Sequence, residues 1–70
     1  MKYLVVIEQT TTGFSAYSPD LPGCIATGGT VEEVQGNMRD AMEFHLEGLA
    51  EAGQAAPPPT AQAVTLELAV

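Results

Sequence analysis

The sequence predicts an α+β fold of order β-β-β-α-β, a four-stranded mixed sheet with one helix packed on one face. Three observations carry that expectation. Short runs rich in Val, Ile, Tyr and Phe fill the chain before Gly28. A long stretch of three- and four-residue apolar spacing follows Thr30, and an alternating segment lies near Val70.

The first strand is expected over Lys2 to Gln9. Tyr3, Val5 and Ile7 share one face, while Leu4 and Val6 share the other with Lys2 and Glu8. Both faces are apolar at their middle, so a helix is expected to cover one and a second subunit the other. Thr10-Thr11-Thr12-Gly13 reads as a turn into a second strand, Phe14 to Ser18, which makes a hairpin. Pro19-Asp20-Leu21-Pro22-Gly23 stops that ladder, since neither proline has an N–H to donate. Cys24 to Thr27 is a short third strand closed by Gly28-Gly29.

The helix is expected over about residues 31–52. Thr30 is its N-cap, and Glu33 three residues later completes a capping box. Glu32 and Glu33 also sit where the helix dipole favours negative charge. Val34, Met38, Ala41, Met42, His45 and Leu49 define the buried stripe, broadened by Leu46. Gly53 is the expected C-cap. A stiff Pro-rich connector spans residues 55–60, and the last strand spans about 62–69, with Val64, Leu66 and Leu68 on one face. The whole chain, 1–70, reads as a single domain.

Seventy residues with one cysteine give a thin core and no disulfide staple, which favours a homo-oligomer, a dimer or higher. Nine acidic residues stand against Lys2 and Arg39, a net charge of -7. Such a surface repels nucleic acid and anionic membranes and attracts a basic protein. Neither a signal peptide nor a membrane span is present, and an unpaired Cys24 suits a reducing compartment, so the cytoplasm is expected.

The chemistry the residues offer is sparse. Gly28-Gly29 lacks the lysine and spacing of a phosphate loop, so no cofactor is expected. His45 and Cys24 lie on different elements without paired ligands, and His45 reads as a core-edge residue. Asp20, Glu8 and Glu67 could approach one another around magnesium, but no basic group would hold a nucleic-acid substrate, so an enzyme is not expected. What remains is the loop Pro19, Asp20, Leu21, Pro22 and Gly23. It joins rigidity to an acid and an apolar side chain free to be exposed, and is expected to bind a partner as well as to turn the chain.

An ordered set of segments resembles the HicB-like antitoxin family: Tyr3-Leu4-Val5-Val6-Ile7-Glu8, Gly13-Phe14-Ser15-Ala16, Pro19-Asp20-Leu21-Pro22-Gly23-Cys24, Ala26-Thr27-Gly28 and Thr30-Val31-Glu32-Glu33, then Asn37 and Ala41. The resemblance implies a partial ribonuclease-H-like fold with no competent catalytic site. It also implies a partner: a small basic HicA-like toxin that cleaves messenger RNA, whose active site the antitoxin would mask. Many such proteins carry a C-terminal DNA-binding domain; the chain stops at Val70 without room for one, so direct DNA binding is not expected. A stand-alone regulatory homo-oligomer is the alternative function, and a metal-dependent nuclease the remote one.

Overall fold

The computed structural model describes residues 1–70, which form three short strands and one long helix. Strand β1 is Val6–Gln9, β2 is Phe14–Tyr17, β3 is Ile25–Gly28, and helix α1 is Val31–Glu51. The sheet is antiparallel throughout, in the order β1-β2-β3. Its register pairs Ile7 with Ala16 and Ala16 with Ala26, so these side chains share the face turned to the helix. The other face carries the row Val6, Tyr17 and Ile25.

The four-stranded mixed sheet expected from the sequence is not formed: the sheet has three strands, and residues 62–69 are unpaired and exposed. The cause lies at the root of that segment. Tyr3 Oη donates to the Pro57 carbonyl at 2.6 Å, which draws the connector past the start of β1. Asp20 then accepts hydrogen bonds from the Thr60 N–H, the Thr60 hydroxyl and the Ala61 N–H, each at 3.0 Å. The chain is thus pinned beside the loop that follows β2, and the segment from Gln62 onward extends into solvent. Its alternation reports that one face needs covering; it does not say by which sheet.

β1 is also shorter than expected. A ladder is as long as its shorter member, and β2 offers only Phe14–Tyr17. Beyond it the buried Ser18 takes over, its hydroxyl donating to the Leu4 carbonyl at 2.8 Å.

α1 starts where the cap demands. Thr30 is extended (φ -133°, ψ 166°) and its hydroxyl accepts from the Glu33 N–H at 3.0 Å. Glu33 Oε1 in turn accepts from the Gly29 N–H at 2.8 Å, one residue earlier than the usual reciprocal pair. The helix ends at Glu51, with Gly53 just beyond at φ 72°.

The helix lies chiefly over β3, then β2, and scarcely over β1. Twenty-one residues of helix run to about 31 Å, whereas strands of four reach only about 13 Å. Only the N-terminal half is therefore covered: Val34 and Met38 are buried, while Ala41, Met42, His45, Leu46 and Leu49 of the expected stripe are half-exposed. The core is small, consisting of Ala16, Leu21, Cys24, Val34 and Met38. Close approach is possible because Gly28 faces the helix. A Cβ there would lie 2.6 Å from the Val34 nitrogen and 2.9 Å from its Cα.

Candidate protein-binding site

The loop Pro19–Gly23 is two consecutive β-turns that share a corner. Leu21 N–H donates to the Ser18 carbonyl, and Cys24 N–H donates to the Leu21 carbonyl, both at 3.1 Å. Each turn has a proline at its second position, Pro19 and Pro22, which presets φ there. The second turn needs positive φ at its third position, and Gly23 supplies it at 82°. The shared corner, Leu21, is driven inward and is fully buried. A leucine expected to be free for binding is instead the centre of the core.

Asp20, the acid of the loop, is committed to its own chain. The Ala61 N–H foremost holds its carboxyl below the ordinary 3.8; partial desolvation opposes this, and the Thr60 hydroxyl and N–H add to it. The sign follows from the lowered value. The tether is fully present above the unfolded-state pKa and is lost as the pH falls through the folded one. Asp20→Ala at neutral pH, or acid in the native chain, should therefore free residues 60–61. Amide exchange at Thr60 and Ala61 should rise while that of β2 and β3 stays unchanged; unchanged exchange at Thr60 would refute the tether.

Only Pro19, Pro22 and Gly23 of the loop remain exposed. Two of the expected loop residues thus have structural duties, and three lie on the surface. Gly23 borders an open depression of about 430 Å³ between β3 and α1, with Ile25, Phe44, His45 and Leu49 around it. Phe44 is 78% exposed and Ile25 is 70% exposed. Helical spacing places Asp40 and Glu47 on the Phe44 side of α1, so an aromatic stands among carboxylates. Sequence reading passed over Phe44 because it falls outside the apolar stripe. That offset was the available signal: a large aromatic on the polar arc has no core to enter.

On the other flank an open groove of about 660 Å³ runs between the β1 side of the sheet and α1. Tyr3, Val5, Ile7, Met38, Met42 and Leu46 form its apolar walls. Lys2 and Arg39, the only two cations of the chain, both border it, with Glu43 as the acid.

The carboxylates considered for magnesium do not come together. No group of three or more His, Cys, Asp or Glu side chains is placed to hold a metal ion. Cys24 is buried, and desolvation pushes its thiol pKa up, away from the thiolate a nucleophile needs. No helix is long and apolar enough to cross a membrane.

The geometry leaves a short acidic sheet-and-helix unit with two open apolar recesses. Residues 3–67 match the family described as HicB_like antitoxin of bacterial toxin-antitoxin system. The chain belongs to that family, whose members are protein-binding modules and not enzymes. A protein of Haemophilus phage HP1 is 37% identical over 81% of this chain, which spans only 43% of that relative's length. A UPF0150 protein of Thermoplasma acidophilum is 31% identical over 94% of this chain and 97% of its own. Among solved structures, a chain of the HicA3 and HicB3 toxin-antitoxin complex superposes with a TM-score of 0.72 at 35% identity, covering 84% of this chain and 70% of that one. The antitoxin HicB3 alone gives 0.70 at 35% identity, over 81% of this chain and 42% of that one.

Proposed function

We propose that this chain is an antitoxin that binds a small basic HicA-like toxin and silences its RNA cleavage by masking the active site. The observation that carries the reading is the likeness in fold and sequence to a chain of a toxin-antitoxin complex. The charge supports it. A surface of net -7 offers carboxylates to a toxin face that must attract RNA phosphates. The docking face is the depression beside the loop, with Pro22 and Gly23 at its edge and Phe44 as anchor. An exposed aromatic with Asp40 and Glu47 beside it on the helix offers an anchor next to acidic groups, as an interface centre does beside its polar rim. The place of action is the cytoplasm, where the unpaired Cys24 stays reduced.

Purified chain added to its cognate toxin should abolish RNA cleavage at one-to-one stoichiometry. A toxin that stays active under saturating, folded chain would overturn the reading. Phe44→Ala should weaken the complex by about 2 kcal/mol, the cost of truncating an interface anchor. It should leave the melting temperature unchanged, since the side chain is 78% exposed in the free protein. Unaltered affinity in that variant would move the docking face elsewhere without touching the antitoxin role.

A further inference from the structure

The segment after Ala61 is an uncovered apolar strip, and the groove beside β1 is an uncovered apolar recess. From Gln62 to Val70 every residue is exposed, with Val64 at 80%, Leu66 at 74% and Leu68 at 72%. These side chains recur at every second position, so an extended backbone aligns them on one face. The apolar groove holds Tyr3, Val5 and Ile7, also at every second position, facing Met38, Met42 and Leu46. β1 is an edge strand, with no neighbour on its outer side. On the opposite edge of the sheet, Asn37 Nδ2 already donates to the Thr27 carbonyl of β3 at 2.8 Å.

We propose that the segment 62–69 of one copy of this chain docks in the groove between β1 and α1 of a second copy, reciprocally, to form a twofold dimer. Its eight residues extend to about 26 Å, enough to run the length of the groove floor from Lys2 to Ile7, about 20 Å. The chain does not fill its own groove, because Asp20 holds the root at Thr60 and Ala61 beside the loop after β2. Donor and acceptor thus stand apart on the same molecule, and a twofold axis satisfies both at once. Charge selects the occupant. Lys2 and Arg39 border this groove and no other recess, and Glu67 is the only charged side chain of the segment. A basic toxin would meet the chain's only cations there, whereas the acidic segment meets a complement. The methionine walls adapt to the inserted side chains.

The dimer needs no toxin, so it is tested on the full chain alone. Analytical ultracentrifugation at micromolar concentration should give the dimer mass. Leu66→Glu on the segment and Met42→Glu in the groove should each raise the dissociation constant at least about a hundredfold, because each buries a charge against apolar walls. Both positions lie outside the buried core, so circular dichroism should confirm that each variant folds. Mixing the two variants should restore dimers, since one intact segment then meets one intact groove. Arg39→Glu should weaken the dimer, and adding Glu67→Arg should recover it. A wild type that stays monomeric to millimolar concentration overturns the proposal. So does a dimer indifferent to both glutamates, or a mixture that does not complement.

Discussion

Gly28→Ala should remove most of the chain's folding stability at 25 °C. The added methyl carbon would sit 2.6 Å from the Val34 nitrogen, 2.9 Å from its Cα and 3.1 Å from the Glu33 carbonyl carbon. All three are backbone atoms in the first turn of α1, so no rotamer change relieves the clash. The helix must lift from β3, and Val34 and Met38 lose the contacts that bury them. Overpacking in a core costs about 1–3 kcal/mol, and a rigid neighbour places this case at the upper end. A domain of this size holds only about 3–5 kcal/mol in total. Gly13 belongs to the same contact, for a Cβ there would clash with the Gly28 carbonyl oxygen. Gly13→Ala should therefore destabilise comparably. Urea titration followed by circular dichroism measures both, and a midpoint within error of wild type for Gly28→Ala would contradict the close approach of helix to sheet.

Leu21→Ala should cost about 2–5 kcal/mol, the range for a leucine removed from a closed core. Leu21 has no exposed surface, and the turns on either side fix its backbone through the Ser18 and Cys24 hydrogen bonds. The site therefore has little freedom to collapse around the cavity. Leu21→Met, which keeps the volume, should cost less than about 1.5 kcal/mol. The pair of variants separates packing from binding. If the loop acted through an exposed Leu21, both would lose toxin affinity with stability intact. The expected result is the reverse: stability falls in the alanine variant, and affinity falls only by the fraction unfolded. Thermal melts beside binding titrations distinguish the two.

Much of this architecture could be read from residue pattern. The Thr30 cap, Glu33 and the apolar spacing located α1 to within a residue at its far end, because caps and periodicity are local signals. The glycine and proline clusters likewise placed the turns between strands. What pattern could not supply were contacts distant in the chain. Asp20 lies 40 residues from Thr60, and nothing near either announces the bond. That bond turns a candidate binding acid into a strut and sends the apolar segment away from its own sheet. Leu21 departs from the exposed position expected of it for a geometric reason: back-to-back turns reverse the chain twice, which throws their common corner inward. The pairing of Lys2 with Arg39 on one groove depends on how the helix lies across the strands, which no local pattern encodes.

The two proposed contacts are expected to respond oppositely to ionic strength, because charge is unevenly placed on the chain. Two copies bring -7 each, so long-range repulsion opposes their encounter even where Glu67 meets a favourable groove. Adding salt shortens the Debye length to about 8 Å near 0.15 M, which removes that repulsion while leaving apolar burial intact. A basic toxin experiences the contrary, since its approach to the acidic face is driven by the attraction that salt screens. Dilute buffer thus favours the mixed complex and concentrated buffer the self-complex. The two surfaces lie on opposite flanks of the helix, so the ionic medium tunes each contact separately, with no change in the shape of either.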